Sequence, residues 1–569
     1  MEIANFRAIK SFVWVPATGI NCLIGPGDSG KSTVLDAIDL CLGARRSIQV
    51  TDADFYGLDV SAPIVIALTI GELDSELKNI ETYGLFLRGF DPSNGTVEDE
   101  PEKDLETVVT LQLTVGSDLE PNWTLISDRA KAQNVTRNLN WADRIRLAPT
   151  RIGAVTDFNL GWRRGSVLNR LTDEKADASA ALAKAARDAR AAFGDDAEKQ
   201  LGETLRIVCE SANELGIDVG GKVRALLDAH SVTFGGGTIS LHDEGGVPLR
   251  GLGVGSTRLL IAGLQRRAAT QSSILLVDEL EHGLEPHRIM RFLGSLGAKE
   301  DVPPLQVFMT THSPIALREL SGSQLIILRE IHENHVATTV GAEDDVQGAV
   351  RLYPEAFLAR SVLVCEGASE VGLVRGLDQY RAAAGETSVA ACGVALVDCG
   401  GGEADKPFKR ASAFRRLGYR VAILKDDDKQ PSEGVEEAFT EQGGIVFSWR
   451  EGRALEDELF KCVPEAVLNE MIEFAVELHG EELVDQHIRS VTNNAVALEA
   501  IRTDMAFGEL SDEVRIVLGK AARTRKAGWF KSVSWMEKVS CEFVAPELPN
   551  CETGFSGIIN DVFGWACDA

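Results

Sequence analysis

The order of apolar and polar residues predicts alternating strands and helices over the first part of the chain. Residues 1 to about 70 change between strand-like and helical patterns and end in the apolar run PIVIALTIGEL. Residues 108–126 alternate apolar and polar positions, which is typical of antiparallel strands. Between these parts, residues 91–104 (DPSNGTVEDEPEKD) have the Pro, Gly and charge content of an exposed loop.

An Ala-rich segment from about residue 165 to 230 has a helical pattern, with the runs ADASAALAKAARDARAAF and KQLGETLRIVCESANELG. It predicts a helical insertion at about residues 150–235, between two parts that are rich in strands. Such an arm suits dimerisation. The alternative is a helical subdomain that packs on its own chain, and the pattern does not choose between the two.

After residue 230 the pattern returns to strands and helices, with predicted strands at 274–279 and 305–313. A second unit begins near residue 355. Its strands are predicted at 361–367, 393–401, 419–428 and 444–449, with helical stretches between them. Apolar strands that alternate with helices predict an α/β fold with a mostly parallel sheet covered on both faces.

Composition places the chain among folded proteins without a membrane span. A length of 569 residues predicts two or three domains, and 44% hydrophobic with 25% charged residues is close to the globular average. No apolar run approaches the roughly 18 to 20 residues that a membrane helix needs. The N-terminus lacks the pattern of a secretory leader, so we expect a cytoplasmic protein. The ten scattered cysteines predict reduced, packed thiols.

The N-terminal part contains a phosphate-binding motif. The run from Gly25 through Gly27 and Gly30 to Lys31 and Ser32 fits GxxxxGK[ST], with Thr33 next in the chain. It follows the strand-like INCLI and precedes a helical pattern. Glycines in this setting let backbone N–H groups surround phosphates, while the lysine reaches the β and γ phosphates and the serine is placed to hold Mg²⁺. This run therefore predicts an ATP site.

A second acidic motif fits the same site. The apolar residues 274–277 lead into Asp278 and Glu279, as in a buried strand that delivers one carboxylate to Mg²⁺ and another to the attacking water. We predict that Asp278 is the metal-side acid and Glu279 the general base. The following strand ends in Thr310, Thr311 and His312, where the histidine is a candidate sensor of the γ-phosphate.

A glycine-rich loop at residues 251–258 opens a helix, and its Gly255 and Ser256 suit an anion-binding nest. The loop resembles the signature motif of ABC ATPases, which caps the ATP held by the opposite subunit and so implies dimerisation. Its wording departs from LSGGQ, and the opening NFRAIK looks like the first strand of RecF, SMC and OLD-type ATPases. Gln49 is a weak candidate for the Q-loop glutamine.

The second unit contains carboxylates at predicted strand ends. Glu366 ends one strand, Glu370 lies in the first turn of the next helix, and Asp426 and Asp428 end another strand at a spacing of two. Parallel sheets place ligands at the carboxyl ends of their strands. These side chains predict an oxygen-ligand site for one or two Mg²⁺ or Mn²⁺ ions. The alternative is a helix N-terminus that favours acids and a solvated acidic turn.

Together the two acidic motifs, VCEGASE and LKDDDK, resemble the Toprim domain. An ABC-type ATPase followed by Toprim is the architecture of the OLD (overcoming lysogenisation defect) family of ATP-dependent nucleases, which includes the Gabija antiphage nuclease GajA. The resemblance covers nearly the whole chain. It implies an ATPase domain at residues 1–345 and a Toprim nuclease domain at 346–569.

The resemblance also assigns roles to further residues. Glu456 is expected to add an acid to the Toprim site, with Glu458 as the alternative, and Asp504 and Asp512 stay open. Lys531 in the segment GWFK resembles the family's late lysine, which points into the site. A cation there stabilises charge on the scissile phosphate.

The implied activity is divalent-metal-dependent hydrolysis of phosphodiester bonds in double-stranded DNA, regulated by ATP and serving antiphage defence. The implied partners are further copies of the chain, in a dimer or tetramer, and a UvrD-like helicase in a Gabija-type system. A net charge of −28 opposes DNA binding, so we expect affinity that depends on metal and on the basic segments Arg163-Arg164 and Arg523 to Lys526. The alternatives are a DNA-binding, nucleotide-sensing ATPase with an inactive Toprim domain and, with only five tyrosines available as nucleophiles, a topoisomerase or primase-like Toprim enzyme.

Overall fold

The structure is a computed structural model. It describes residues 1–45, 47–153, 157–160, 166–171, 184–185, 187–188, 199–208, 241–245, 248–269, 273–508, 510–524 and 527–568. Most of the predicted helical insertion lies outside the described residues. The same is true of Arg163, Arg164, Arg525 and Lys526 among the predicted basic segments.

The chain divides into two compact units. The first consists of Met1–Leu23, Gly30–Glu319 and Ile331–His335, and the second of Ile24–Ser29, Leu320–Glu330 and Val336–Ala569. The domain boundary after residue 345 and the dimerisation arm stay predictions.

The first unit is built on strands that form an antiparallel part and a parallel part. Its strands are β1 (Glu2–Phe6), β2 (Ile9–Val13), β3 (Ile20–Ile24), β4 (Ile64–Ile70), β5 (Leu87–Asp91), β6 (Thr96–Glu98), β7 (Glu106–Val115), β8 (Pro121–Ile126), β9 (Thr150–Ile152), β10 (Ile274–Val277) and β11 (Gln306–Thr310). β12 (Leu325–Ile331) and β13 (Asn334–Thr339) follow along the chain. The antiparallel pairs are β1 with β2 and β4, β4 with β7, β5 with β6 and β7, and β7 with β8.

The parallel part positions the predicted nucleotide motifs. β11 pairs with β3 and β10, and β10 pairs with β9, all in parallel. The residues of β3 are all buried, and Leu275, Leu276 and Val277 of β10 are fully buried. Because these strands run side by side in one direction, the segments that follow β3, β10 and β11 emerge at the same edge of the sheet.

Helices connect these strands. Among the described residues of the first unit, the helices include Lys31–Leu42, Ile80–Tyr83, Asp128–Ala132, Trp141–Leu147, Val167–Leu171, Val254–Arg267, Pro286–Ser295 and Pro314–Glu319, and residues 199–208 are also helical. The predicted strands at 274–279 and 305–313 are therefore present with shorter bounds, since each prediction included the polar residues that follow the strand.

The second unit contains a four-stranded sheet in the order β15–β14–β16–β17, formed by β14 (Ser361–Cys365), β15 (Val394–Asp398), β16 (Arg420–Lys425) and β17 (Ile445–Ser448). All three pairings are parallel. The predicted α/β fold class, with a parallel sheet in the C-terminal part, is confirmed. β14 and β16 are neighbours, so the residues that follow them lie side by side.

The helices of the second unit surround this sheet and extend beyond it. They are Asp344–Leu352, Ala368–Ala383, Asp405–Arg416, Val435–Glu441, Leu455–Cys462, Glu465–His479, Glu481–Val491, Leu498–Phe507, Asp512–Ala522, Val533–Lys538, Ala545–Glu547 and Thr553–Cys567, with a π-helical segment at Val539–Val544. An apolar cluster joins residues of β14 and β16 to several of these helices and includes the fully buried Trp529 and Phe530. The GWFK segment is therefore anchored in the core of this unit.

One cysteine pair differs from the expectation of reduced thiols. Cys392 and Cys567 form a disulfide across 175 residues of sequence, with their Cα atoms 5.3 Å apart. The prediction was wrong for this pair because the spacing of cysteines along a chain does not show which of them meet in the fold. The seven cysteines described as free are buried or half-buried. None of the described helices is long and apolar enough to span a bilayer.

Candidate functional site

The predicted phosphate loop joins β3 to the helix Lys31–Leu42. Gly25 and Gly30 have φ angles of 135° and 81°, in the region that favours glycine. A Cβ on Gly25 would lie 2.8 Å from the carbonyl oxygen of Leu328, so the backbone approach also requires glycine there. Lys31 is buried at the start of the helix. A glycine turn at a helix N-terminus is the geometry that binds phosphate groups.

Ser32 and Asp278, the two predicted magnesium ligands, are in contact. The Ser32 hydroxyl donates to Oδ1 of Asp278 over 3.1 Å, and the Thr310 hydroxyl donates to the same oxygen over 2.8 Å. The three residues meet because they follow, or end, neighbouring parallel strands. A serine hydroxyl beside a carboxylate is the protein part of a magnesium site in phosphate-loop ATPases.

Arg151 of β9 also reaches Asp278, and sequence reasoning missed it. Its guanidinium lies 3.4 Å from Oδ2 of Asp278 and 2.6 Å from a carboxylate oxygen of Asp36 in the phosphate-loop helix. No motif surrounds Arg151, so the sequence contains no signal for this contact. Gln49, the weak Q-loop candidate, instead lines a small cavity with apolar residues that include Phe6.

The backbone of Glu279, the predicted general base, is held from two sides. Its N–H donates to the Thr310 hydroxyl over 2.8 Å, and its φ is 46°. The fully buried Arg258 donates to the carbonyl oxygens of Asp278 and Glu279 over 2.8 and 3.0 Å. Burial lowers the pKa of Arg258. The carboxylate of Glu279 is exposed, so the fold fixes its backbone and leaves the side chain accessible.

His312 lies at the end of β11 with an exposed ring. Its backbone N–H donates to Glu281 over 2.8 Å, and the Thr311 hydroxyl donates to the other carboxylate oxygen of Glu281 over 2.6 Å. Glu281, which sequence reasoning did not single out, therefore holds the segment that presents the histidine.

The predicted signature loop opens the helix Val254–Arg267. Gly255 is buried, and a Cβ there would lie 2.1 Å from the carbonyl oxygen of Gly283, so only glycine fits this approach. The Ser256 hydroxyl accepts from Arg288 over 2.9 Å. The loop is thus packed against the segment that follows the Asp278-Glu279 pair.

The predicted acids of the second unit converge at the ends of β14 and β16. The backbone N–H of Asp426 donates to a carboxylate oxygen of Glu366 over 3.0 Å. The N–H of Leu455 donates to Oδ1 of Asp426, also over 3.0 Å. Glu366 and Asp426 are 60 residues apart in sequence and meet because their strands are neighbours.

Glu370 and Glu456 complete the group of buried acids. Glu370 is 3% exposed in the first turn of its helix, and its carboxylate accepts from the N–H of Gly367 over 2.9 Å. Glu456 is 4% exposed and accepts from the Ser369 hydroxyl over 3.4 Å. We call Glu366, Glu370, Asp426 and Glu456 the acidic cluster.

Burial raises the pKa of every member of the acidic cluster. Repulsion between the members raises the pKa further, from Glu456 onto Glu370 and from Glu370 and Glu366 onto Asp426. Lys531 acts in the opposite direction on Glu456. The fold therefore gathers carboxyl groups whose negative charge is poorly compensated by the protein, a condition that a cation relieves.

Asp428 and Lys531 are held differently from the acidic cluster. Oδ2 of Asp428 accepts from Arg523 over 2.9 Å, and the same guanidinium lies 3.1 Å from Asp457. Nζ of Lys531 donates to the backbone carbonyl of Arg523 over 3.0 Å. The charge of Asp428 also contributes to the raised pKa of Glu366, after burial as the main cause.

The remaining acids that the sequence offered have other partners or positions. Glu458 is fully buried between Arg450 and Arg453, at 2.7 and 2.8 Å. Asp512 pairs with Lys461 over 2.8 Å, and Asp504 is exposed on the helix Leu498–Phe507.

The acidic cluster fits a divalent cation by its chemistry. Buried carboxylate oxygens are the ligands that Mg²⁺ and Mn²⁺ prefer, and the raised pKa values show that positive charge is lacking. Across the part of the chain that the structure describes, no group of three or more His, Cys, Asp or Glu side chains is arranged so that it could hold a metal ion. Oxygens of Glu366, Glu370 and Asp426 accept from backbone N–H groups instead.

The fold and these two groups of residues define a phosphate-loop ATPase with a second α/β unit that carries buried acids. The chain belongs to the family described as "AAA domain, putative AbiEii toxin, Type IV TA system", whose model matches residues 20–318, more than half of the chain.

Similarity to known proteins extends beyond that family model. The OLD nuclease of Thermus scotoductus is 23% identical over 434 residues, which cover 70% of this chain and 76% of that protein. With the ATPase family, it confirms the resemblance to OLD proteins. Among solved structures, the SMC head domain of Thermotoga maritima aligns at 13% identity and a TM-score of 0.27, over 60% of this chain and 97% of that one. The C-terminal region of the Burkholderia pseudomallei OLD protein aligns at 12% identity and 0.21, over 37% and 100%.

Proposed function

We propose that this protein is an ATP-regulated, divalent-metal-dependent DNA endonuclease of the OLD type. The observation that carries the proposal is the acidic cluster, because buried carboxylates without matching positive charge are costly unless a cation or protons neutralise them. The OLD nuclease of Thermus scotoductus supports the choice of nuclease chemistry. Lys31, Ser32 and Asp278 belong to the first unit and the acidic cluster belongs to the second, which suits a regulator and an effector.

In this proposal Glu366, Glu370 and Asp426 hold the divalent ion, and Asp428 takes part in a second position. A bound divalent ion supplies Lewis acidity and lowers the pKa of water, which is the chemistry that phosphodiester hydrolysis requires. Glu456 stays beside the ion and balances Lys531. The lysine cation stabilises the negative charge that builds up on the scissile phosphate.

In this proposal a separate set of residues binds the nucleotide. Lys31, with the turn at Gly25, Gly27 and Gly30 and the first helical residues, binds the phosphates. Ser32 and Asp278 hold Mg²⁺, and Thr33 lies in the first turn beside them. Glu279 accepts the proton of the attacking water, and His312 donates a hydrogen bond to the γ-phosphate.

Gly255 and Ser256 take a different part in this proposal. Together they cap the ATP of a second copy, so that nucleotide binding favours a dimer and shifts the population of conformations that admit DNA. Antiphage defence, with a helicase partner in a Gabija-type system, is the setting that this regulation suits.

Cleavage of a supercoiled plasmid tests the nuclease proposal. The wild type is expected to nick the plasmid with Mg²⁺ or Mn²⁺ and to stop when the metal is chelated. Glu366→Gln and Asp426→Asn remove a negative charge from the cluster and should reduce the rate by at least roughly a hundredfold, the usual scale for a catalytic group.

Asp427→Asn is the matched control. Asp427 stands between two predicted ligands, but its carboxylate accepts from Gly452 over 2.7 Å and from Gln430 over 3.0 Å. This variant should keep near wild-type activity. Cleavage that persists in Glu366→Gln and Asp426→Asn would reject the proposed nuclease site and leave an ATP-binding protein with an inactive Toprim domain.

A further inference from the structure

Arg523 occupies an unexpected place for a residue of a basic segment. The sequence offers Arg523 to Lys526 as contacts for DNA phosphates, yet the guanidinium of Arg523 faces acids of its own unit. Its Nη1 lies 2.9 Å from Asp428 and its Nε lies 3.1 Å from Asp457, and the side chain is 31% exposed. Arg523 is therefore engaged with protein carboxylates and is also accessible to solvent.

Of the two carboxylates that contact Arg523, only that of Asp428 is a predicted metal ligand. Asp428 follows β16 and stands two residues after Asp426, a member of the acidic cluster. Asp457 lies in the first turn of the helix Leu455–Cys462, next to Glu456. The guanidinium of Arg523 occupies Oδ2 of Asp428, an oxygen that a divalent ion could also bind, and two positive charges in contact repel each other. Asp457 offers Arg523 a partner that it keeps after it leaves Asp428.

We propose, on the basis of the metal site proposed above, that Arg523 competes with a divalent cation for Asp428. Arg523 is a positioning residue in this scheme. With Arg523 on Asp428, the acidic cluster holds a first ion and the second position is closed. With a second ion on Asp428, the guanidinium of Arg523 would be paired with Asp457 alone.

The contact between Lys531 and Arg523 does not depend on this exchange. Nζ of Lys531 donates to the backbone carbonyl of Arg523, so the proposed phosphate-binding lysine is tied to the residue that the metal displaces. A side-chain movement of Arg523 leaves that backbone bond in place. The lysine therefore keeps its position whether or not the second ion is bound.

Binding of Mn²⁺ to the full-length protein, followed by electron paramagnetic resonance without nucleotide or DNA, tests the proposal. Arg523→Gln keeps a polar side chain and removes the positive charge. It should tighten the weaker class of Mn²⁺ sites by roughly two- to fivefold, the scale of a partly exposed ion pair. The nucleotide site is the same in every protein compared, so the difference reports on Asp428.

Arg502→Gln is the matched control. Arg502 is 30% exposed and binds Glu473, which is not a predicted metal ligand, through two bonds of 2.8 and 2.9 Å. This variant should bind Mn²⁺ as the wild type does. Thermal melting of all variants shows whether each protein is folded at the temperature of the titration.

The Asp428→Asn background separates competition from a general effect of charge. There Arg523→Gln should no longer tighten Mn²⁺ binding, because the contested carboxylate is gone. The proposal is overturned if Arg523→Gln leaves Mn²⁺ affinity unchanged or weakens it, or if its effect persists in Asp428→Asn. Loss of Mn²⁺ binding in Asp426→Asn is a separate comparison and tests the acidic cluster itself.

Discussion

At the scale of single residues, the acidic cluster contains carboxyl groups with strongly raised pKa values. Burial raises the pKa of Glu370 to about 8, with Glu456 as the strongest neighbouring charge. Burial and the charges of Glu370 and Glu366 also raise the pKa of Asp426, to about 10. At neutral pH the folded, metal-free protein therefore holds protons that the unfolded chain releases.

This proton uptake predicts how stability depends on pH in the presence of a chelator. A carboxyl group with a raised pKa stabilises the fold below its unfolded pKa of about 4, and that contribution is lost as pH rises toward the folded pKa. We expect the melting temperature to fall between pH 5 and pH 8. The fall should be smaller in Asp426→Asn, whereas Asp427→Asn should follow the wild type. Equal slopes in all three proteins would contradict the buried-acid description.

Arg258 allows a prediction for the ATP site. Its bonds to the carbonyl oxygens of Asp278 and Glu279 hold the peptide of the proposed general base, but Arg258 is not one of the predicted nucleotide ligands. Arg258→Met should lower the ATPase kcat roughly ten- to a hundredfold, the effect of losing bonds from a charged donor, and should change nucleotide affinity much less.

A second arginine of the same helix provides the control for Arg258. Arg266 pairs with Glu300 over 2.7 Å, and its side chain is 39% exposed. Arg266→Met should leave kcat near the wild-type value. Loss of nucleotide affinity in Arg258→Met without a change in kcat would show that Arg258 does not position Glu279.

At the scale of elements, the close approach of two helices supports the acidic cluster. Gly372 and Gly376 of the helix Ala368–Ala383 face the backbone of residues 533–541, and a Cβ on Gly376 would lie 2.3 Å from the carbonyl oxygen of Glu537. Glu370 lies in the first turn of this helix, and the segment that the helix meets follows Lys531. Glycine at these two positions therefore allows the helix that carries Glu370 to pack closely against the segment that follows Lys531.

Gly376→Ala should reduce the free energy of unfolding by about 1–3 kcal/mol, because the added methyl group overpacks the contact. Gly557→Ala is the control, since nothing lies within 4 Å of a Cβ there and alanine favours a helix. Denaturant unfolding measures both. A Gly376→Ala variant as stable as Gly557→Ala would mean that the helices are not in close contact.

The sequence predicted elements better than it predicted contacts. The four strands of the second unit and the acids at their ends follow from apolar runs and from the topology of parallel sheets. The contacts of Arg151 and Arg523 and the disulfide of Cys392 could not be predicted, because each joins residues far apart in sequence without a motif. Arg258 is the last residue of the predicted glycine-rich loop, which was the available signal for it.

At the scale of the whole molecule, the separate sites predict separable effects. Lys31→Ala removes the cation that binds the phosphates of ATP and should abolish any effect of ATP on plasmid cleavage. Cleavage in the absence of ATP should continue at the wild-type rate, because no predicted metal ligand of the acidic cluster is changed. Nicking assays with and without ATP decide this. If Lys31→Ala also loses ATP-independent cleavage, the nucleotide site has a direct part in the reaction.

Because the net charge of the chain is −28, we expect DNA binding by the whole molecule to depend on cations at the acidic cluster. A chain with this charge repels DNA unless cations face the phosphates. We propose that divalent ions, Lys531 and the basic segment at Arg523 supply this positive charge. Every functional statement about the second unit therefore depends on where a divalent ion binds.

Anomalous diffraction from crystals containing Mn²⁺ measures that position directly. We expect a manganese peak within about 2.0–2.6 Å of carboxylate oxygens of Glu366 and Asp426, the distance range of oxygen ligands to divalent ions. A peak near Ser32 and Asp278 alone, with none at the ends of β14 and β16, would contradict it.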